Sequence, residues 1–290
     1  MRRKSAFGNR LSPLPRLINR LFLAAVFLVM FIPMWNVAVL STSTELSASA
    51  YGVRLWWSAP PSLEGYAYVF RVVNLLRPVL NSLFVSVVST AVQVVLSSLA
   101  GYILIQREMP FQKSLTSFVF LTMMVPGDLT LVSLYQLNKR LYLVNTYAGL
   151  IVNGLISGFC ILLMRNYFLS VPASLAESAR IDSAGEFLIF WKIYLPLSVA
   201  GLATTFFLQF VGKWNELMLP ASLISDQKLY TLPLVLKSMV MDSSSTSGTI
   251  PVPENAVMAT VVISSLPLLL LYTFAQRYLL EGMTLGADKG

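Results

Sequence analysis

The sequence contains no histidine and only one cysteine, Cys160, among its 290 residues. Without histidine, the chain cannot build a His-based zinc site, a Ser-His-Asp triad or a Cys-His pair. A single cysteine cannot form a disulfide within the chain, and Cys160 lies in an apolar run, as a small buried residue would. No Gly-rich loop ends in Gly-Lys-Ser or Gly-Lys-Thr, so the chain has no P-loop with which to hold ATP phosphates.

Charged residues are also scarce: they make up 12% of the chain, whereas 56% of the residues are hydrophobic. Soluble domains usually carry about 25% charged residues, so this composition indicates a chain surrounded by membrane lipid. The net charge of +8 could suit nucleic acid or a membrane surface. Because the basic residues lie mainly between long apolar runs and no nucleic-acid motif accompanies them, we predict a membrane protein that binds no nucleic acid.

Six apolar stretches are long enough to cross a bilayer core, which takes about 20 residues of helix. They cover residues 18–40, 79–105, 115–137, 147–164, 197–219 and 256–275. Pro126, Gly127 and Asp128 interrupt the third stretch, which predicts a kink or an unwound turn that faces protein or a water-filled cavity. The predicted fold class is therefore an all-α membrane protein with six transmembrane helices.

The basic residues also predict an orientation. Most of the 21 Lys and Arg residues fall in the segments 1–17, 106–114, 165–196 and 276–290, which the positive-inside rule assigns to the cytoplasm. We predict a cytoplasmic N-terminal tail (1–17), a six-helix domain (18–275) that includes a cytoplasmic loop (165–196), and a cytoplasmic C-terminal tail (276–290). The basic N-terminus and its apolar run suggest a signal peptide, but the run is too long for one, so we expect an uncleaved first span.

The loop 165–196 is too polar to cross a membrane and too patterned to be irregular. Pro172 suits a first helical turn, and Ser174 with Glu177 three residues later is typical of a capping box. Small side chains and then, after Gly185, aromatic ones recur at helical spacing. These positions are Ala176, Ala179 and Ser183, then Phe187, Phe190, Trp191 and Tyr194. The pattern predicts two cytoplasmic helices. The first either docks through its small-residue face in a cleft of another protein or simply lies at the membrane interface.

The residues Glu177 to Gly185 read Glu-Ser-Ala-Arg-Ile-Asp-Ser-Ala-Gly, and the loop ends in Leu195-Pro196. This run resembles the EAA loop of importer permeases of the ATP-binding-cassette superfamily. The pattern there is Glu-Ala-Ala, two residues, Asp-Gly-Ala, ending in Leu-Pro. The chain departs from it at Ser178, which replaces an alanine, and at Ser183, which replaces the glycine. Both replacements are small.

Other segments resemble the carbohydrate branch of that family, and the smaller, maltose-G-type permease within it. They are 81–83, 100–102, 145–150, 214–216 and the tail 282–290. The segment 253–260, Pro-Glu-Asn-Ala-Val-Met-Ala-Thr, is most similar to permeases of oligosaccharide and polysaccharide importers, the alginate importer among them. The resemblance covers nearly the whole chain.

The resemblance implies a type I importer in the bacterial inner membrane. This permease would pair with a second permease, an extracytoplasmic solute-binding protein would deliver the sugar, and a dimer of ATPases would bind ATP and magnesium. The permease itself would bind no cofactor and catalyse no reaction, and its C-terminal tail would reach between the ATPases. The residues implied to couple it to the ATPases are Glu177, Ser178, Ala179, Asp182, Ser183, Ala184 and Gly185.

Charged residues inside a span are costly and indicate a functional site. Lys213 and Glu216 lie three residues apart in the fifth stretch, with Trp214 and Asn215 between them. They form either a structural ion pair or a sugar-facing patch in which Trp214 contacts a ring and polar groups bind hydroxyls. Asp128 is a further candidate for the same pathway.

Three other functions remain open at the level of sequence. An ion-coupled secondary transporter would need buried carboxylates or discontinuous helices, and it would leave the patterned cytoplasmic loop without a purpose. A membrane enzyme would need paired carboxylates or a nucleophile with its base, and no such arrangement is evident. An ATP-driven importer of a solute other than sugar is separated from the carbohydrate prediction only by the family resemblance.

Overall fold

The computed structural model describes residues 13–50, 53–57, 59–106, 109–243 and 252–287, and every regular element among them is helical. Short π-helical and 3-10 turns extend or connect several of the helices, at Val69–Val73, Gly127–Thr130, Phe190–Tyr194 and Gln227–Leu229. The α-helices are α1 (Pro13–Ser41), α2 (Glu45–Ala48), α3 (Glu64–Tyr68), α4 (Leu76–Ile103), α5 (Gln112–Met123), α6 (Leu131–Arg140), α7 (Tyr147–Val152), α8 (Gly158–Phe168), α9 (Ala173–Ile181), α10 (Glu186–Ile189), α11 (Leu195–Leu197), α12 (Val199–Trp214), α13 (Met218–Leu223), α14 (Leu232–Ser243) and α15 (Glu254–Ala287).

Within the described residues, three helices are long and apolar enough to cross a membrane: α1, α4 and α15. The number rises to five if each of two sharply bent helix pairs counts as one span. The prediction of an all-helical chain with several spans is therefore confirmed, and the count of six stays a prediction.

The fourth predicted stretch, 147–164, is not one helix, so that prediction was wrong. α7 ends at Val152 and α8 begins only at Gly158. The Ser157 hydroxyl accepts a hydrogen bond from the backbone N–H of Cys160 and so caps the new helix. Because a serine cap satisfies the first free N–H groups of a helix, a second helix can start inside an apolar run whose hydropathy gives no sign of a break.

The third and fifth stretches are interrupted as well. In the third, the break falls where Pro126 and Gly127 predict it, since α5 ends at Met123 and α6 begins at Leu131 after a 3-10 turn. In the fifth, α12 ends at Trp214, so Glu216 lies beyond the helix and not inside a span.

The chain divides into two compact units, Met1–Val73 with Asp242–Val262, and Asn74–Met241 with Ile263–Gly290. In the first unit, side chains of residues that follow α1 form hydrogen bonds with residues at the C-terminal end of α1. The Trp57 indole N–H donates to the Thr42 hydroxyl (2.9 Å), and Tyr66 donates to Ser41 (3.1 Å). The Asn255 amide donates to the Ser43 carbonyl (3.0 Å), which joins the start of α15 to the same unit.

In the second unit, α4 packs against α8 and α12. Its buried face is polar and small, with Ser86, Ser89, Thr90, Gln93 and Ser97 all shielded from solvent. Small residues let membrane helices approach closely. The end of this packing near the loop 165–196 is an aromatic cluster of Tyr102, Phe168, Phe190 and Tyr194, together with Met164, Val171, Ala176 and Ile189.

Gly101 marks the closest approach of α4 to α8. A Cβ at this position would lie 2.8 Å from the backbone nitrogen of Arg165 and 3.0 Å from the backbone oxygen of Ile161. Both are backbone atoms, so the two helices would have to separate. We expect Gly101→Val to lower the free energy of unfolding by about 1–3 kcal/mol, as overpacking does, measured by thermal unfolding in detergent.

Gly212 on α12 provides the control for Gly101, because a Cβ there meets no atom within 4 Å. Gly212→Ala should leave the midpoint of unfolding unchanged or raise it, since alanine favours helix over glycine. Equal effects of the two substitutions would contradict tight packing at Gly101.

Two bends set the geometry of the loop 165–196. α9 is bent by 76° from α8, and the segment Glu186–Leu197 is bent by 78° from α12. The second bend falls at Ser198, two residues after Pro196. Both helical segments of the loop therefore run nearly perpendicular to the helices that enter and leave it.

Candidate functional site

The loop between α8 and α12 folds as two helical segments, α9 and the run from α10 through the π-helical turn to α11. The predicted capping box at the start of α9 was wrong. The helix begins at Ala173 with Pro172 as its cap residue, and no side chain caps it. Proline fixes the backbone φ and needs no hydrogen-bond acceptor, which is enough to start the helix here.

The turn after α9 is a Schellman motif centred on Ser183. This residue has a φ of 61°, its N–H donates to the Arg180 carbonyl (3.0 Å), and the Ala184 N–H donates to the Ala179 carbonyl (2.9 Å). The motif places a left-handed residue directly after the helix, where glycine is usual. The glycine of the EAA pattern aligns with Ser183, so this serine adopts the conformation that glycine would take there.

Replacing Ser183 with glycine is expected to stabilise the protein. A left-handed non-glycine residue costs about 1–2 kcal/mol, and the greater chain entropy of glycine offsets about 0.5–1 kcal/mol of that gain. The net gain should be about 0.5–1 kcal/mol in thermal unfolding. Ser178→Gly, in the middle of α9, should instead destabilise by about 0.5 kcal/mol, since serine is a better helix former than glycine, and a loss of stability at both positions would contradict the assigned turn.

Two of the three small residues of the predicted docking face, Ala176 and Ala179, turn inward, whereas Ser183 is exposed. Ala176 is buried in the aromatic cluster, and Ala179 and Ala184 pack against it. The exposed residues at the C-terminal end of α9 and in the turn after it include Glu177, Ser178, Ile181, Asp182, Ser183 and Gly185, with Ile181 84% exposed. We call these six residues the docking face. A partner protein would meet charged and hydroxyl groups around one apolar side chain.

The aromatic residues of the loop divide between two environments. Phe190 and Tyr194 are buried against Tyr102 and Phe168. Phe187 and Trp191 are exposed and stack on each other, with ring centroids 6.4 Å apart. The buried pair fixes the second helical segment to the ends of α4 and α8.

A polar network joins the loop to the end of α4. Arg180 donates to the Glu186 carboxylate through Nε (2.7 Å) and through a terminal nitrogen (3.3 Å), and the same nitrogen donates to the Gln106 side-chain oxygen (2.9 Å). Tyr102 donates to Glu186 Oε2 (2.5 Å), the oxygen that the terminal nitrogen of Arg180 also reaches. The hydrogen bond from Arg180 lowers the pKa of Glu186, and the one from Tyr102 adds to this effect. We call these four residues the clamp.

A cavity of about 510 Å³ adjoins the clamp on the side of α9. Its lining mixes charged, polar and apolar groups, namely Ile105, Gln106, Met109, Ala173, Ala176, Glu177, Arg180, Glu186 and Tyr194. The first residue of the EAA run, Glu177, therefore lies at the edge of an open space and next to the clamp.

The structure brings Lys213 and Glu216 together in one small pocket of about 10 Å³, room for about one water molecule. Ser82, Ser86 and Thr231 complete its polar lining. The Thr231 hydroxyl is buried and has no hydrogen-bond partner among the described residues. The sequence did not predict that Ser82, Ser86 and Thr231 belong to this pocket. Serine and threonine are common in membrane helices, and these residues lie in segments that are separated from Lys213 and Glu216 along the chain.

The neighbours of Lys213 and Glu216 do not share this pocket. Trp214 is only 2% exposed, stacks on Phe210 at 5.8 Å, and donates its indole N–H to the Ser264 carbonyl (3.0 Å). Asn215 is exposed and donates to the Val211 carbonyl of its own helix. Asp128 lies in the 3-10 turn between α5 and α6, and its side chain is outside the described residues.

Gly154 lies in the break between α7 and α8. A Cβ there would overlap the end of the Lys213 side chain. The Lys213 amine therefore covers the unwound segment, and the absence of a side chain at Gly154 makes room for it.

Two segments of the family resemblance have a structural role that the sequence did not reveal. The Asn81 amide donates to the carbonyls of Lys228 and Tyr230 and accepts from the Tyr147 hydroxyl. Asn145 accepts from the backbone N–H groups of Ser225 and Asp226. Both asparagines hold the loop before α14 in place.

The model of a family described as "binding-protein-dependent transport system inner membrane component" matches residues 93–284. The chain is 34% identical over 237 residues to the polygalacturonan/rhamnogalacturonan transport system permease protein YtcP of Bacillus subtilis, which covers 79% of this chain and 82% of that one. It is 28% identical over 286 residues to the arabinooligosaccharides transport system permease protein AraQ of Halalkalibacterium halodurans, covering 97% and 99%.

A solved structure has the same fold. The crystal structure of a bacterial ABC transporter involved in the import of the acidic polysaccharide alginate contains a chain that matches with a TM-score of 0.83 at 22% identity. The match covers 95% of the present chain and all of the other.

Proposed function

Because the chain belongs to the family of inner-membrane components of binding-protein-dependent transport systems, we propose that it is one permease subunit of an ATP-driven carbohydrate importer. The cargo is an oligosaccharide or a polysaccharide. The proposed partners are a second permease, a dimer of ATPases that binds ATP and magnesium, and an extracytoplasmic solute-binding protein. The permease makes and breaks no covalent bond in this cycle.

The substrate class is supported by the relatives. One of them is a permease for polygalacturonan and rhamnogalacturonan, and another is one for arabinooligosaccharides. Both names describe chains of several sugars. The present chain spans more than four-fifths of the length of each of these relatives, so the comparison concerns the whole permease.

The observation that carries the proposal is the docking face on a loop held perpendicular to two membrane helices. ATP binding would close the ATPase pair beneath it, and a stiff docked helix passes such movement on as a rigid body. Closure would turn the pathway from inward-facing to outward-facing, and hydrolysis would reset it. This use of the loop requires both termini and residues 165–196 to lie in the cytoplasm, the orientation that the Lys and Arg distribution favours.

Lys213, Glu216, Ser82, Ser86 and Thr231 are the proposed contribution to the substrate pathway. The pocket that they line is too small for a sugar ring in this structure. Cargo could therefore reach these groups only when the surrounding helices move apart during the cycle. A cationic amine beside hydroxyl groups suits a glycan with both hydroxyls and carboxylates.

The test is purification of the tagged chain from its native membrane in mild detergent, with mass spectrometry of the proteins that accompany it. We expect an ATPase and a second permease, and ATP-dependent uptake of a labelled oligosaccharide once the complex is reconstituted. If the chain purifies without any ATPase and uptake follows an ion gradient, the ion-coupled transporter becomes the better account.

A further inference from the structure

We propose that the clamp of Tyr102, Gln106, Arg180 and Glu186 transmits the movement of the docking face to α4, so that these four are positioning residues of the import cycle. The inference rests on the proposed function and adds to it a specific mechanical link. Apolar packing also connects the loop to α4, but the clamp makes α9 and α4 move as a single rigid body.

The clamp joins three separate elements at one point. Tyr102 lies in the last turn of α4 and Gln106 just beyond it, Arg180 lies in the last turn of α9, and Glu186 is the first residue of α10. Glu186 accepts hydrogen bonds from both Tyr102 and Arg180, and Arg180 also binds Gln106. Each helix end is therefore tied to the other two through side chains.

Apolar packing alone would hold α9 loosely. The residues that it presses into the aromatic cluster are alanines, Ala176 and Ala179, and such small side chains define little register along a helix. Charge-assisted hydrogen bonds are directional and fix a geometry that such packing leaves free. The hydrogen bond from Arg180 lowers the pKa of Glu186, so Glu186 is ionised and these bonds are charge-assisted at neutral pH.

α4 is the helix that can use this link. It is a continuous helix from Leu76 to Ile103, and Ser86 of the pocket lies 16 residues before Tyr102, which is about 24 Å along a helix. Movement of the cytoplasmic end of α4 would displace Ser82 and Ser86 relative to Lys213 and Glu216 on other elements. The clamp thus connects the docking face with the pocket through one continuous helix, α4.

The experiment measures whether α9 and α4 move together. In the complete complex with its ATPases, Cys160 is replaced by alanine, and spin labels are attached to Ser174→Cys, which lies on α9 outside the docking face, and to Leu83→Cys on α4. Both sites are exposed. Pulsed electron paramagnetic resonance then gives the distance between the labels without nucleotide and after trapping with ATP, magnesium and vanadate. This distance measurement does not require the cargo.

With the clamp intact, we expect the same distance in both states. With Tyr102→Phe and Glu186→Gln combined, the distance should change on trapping, while ATP hydrolysis persists. Uptake of the labelled oligosaccharide per ATP hydrolysed should fall about fivefold or more, the lower end of typical coupling between sites. Each single substitution should approach the effect of the double one, because the two residues share one hydrogen bond.

Tyr167→Phe is the matched control, since it removes a phenol hydroxyl from α8 outside the clamp, and it should leave distance and coupling unchanged. An unaltered distance in the double variant, or uptake and ATP hydrolysis that fall in proportion, would overturn the clamp, because a merely structural role predicts the latter. A wild-type complex that neither binds nor hydrolyses ATP would overturn the proposed function itself, and the clamp with it.

Discussion

Replacing Glu177 by lysine is expected to separate the permease from its ATPases. Glu177 is exposed on the docking face and borders the cavity beside the clamp, where a partner's basic residue can reach it. Losing one member of a buried interfacial charge pair typically costs about 2–5 kcal/mol, and reversing its sign adds repulsion. The affinity for the ATPase should therefore fall by a factor of about 30 or more, since 1.4 kcal/mol is tenfold.

The measurement is co-purification of the ATPase at graded detergent and salt, together with ATP-dependent uptake by the reconstituted complex. The control is Glu64→Lys, the same change at an exposed glutamate at the start of α3. Only Glu177→Lys should release the ATPase, and its thermal unfolding should match that of the native chain. Release by both variants, or by neither, would show that the docking face is not the ATPase contact.

The second large effect is expected at Trp214, and it should be on stability more than on transport. The side chain is buried, stacks on Phe210 and donates to the Ser264 carbonyl. Truncating a buried tryptophan to alanine costs about 3–5 kcal/mol, and the carbonyl of Ser264 loses a partner. We therefore expect Trp214→Ala to lower the yield of folded protein and the midpoint of unfolding sharply.

Trp214→Phe largely separates packing from the hydrogen bond, because it keeps an aromatic ring while it removes the indole N–H and one ring of the indole. Its loss should be about 1–2 kcal/mol, near the cost of one buried unpaired group, and the folded fraction should transport at the native rate. A Trp214→Ala protein that folds normally but transports nothing would instead assign Trp214 to the substrate pathway, as the sequence interpretation had it.

The loop shows which structural features the local sequence can predict. The spacing of apolar and aromatic residues between 171 and 196, with Gly185 between them, predicts two helices, because amphipathic periodicity and helix breakers act over a few residues. The small-residue face was assigned to a partner, whereas Ala176 and Ala179 pack inward. Periodicity shows that a helix has two faces but not which one meets the chain's own core.

The sequence by itself determined that this is a helical membrane protein with a polar loop of two short helices, because composition and short-range patterns depend on residue type alone. Tertiary structure decided which of these residues meet. Glu186 reaches Tyr102 across 84 positions of the chain, and the pocket joins Ser82 to Lys213 and Thr231. The fourth stretch is also interrupted beside Gly154, where the Lys213 amine lies over the backbone. Such contacts follow from how helices pack, a property of several distant segments at once, which no local pattern contains.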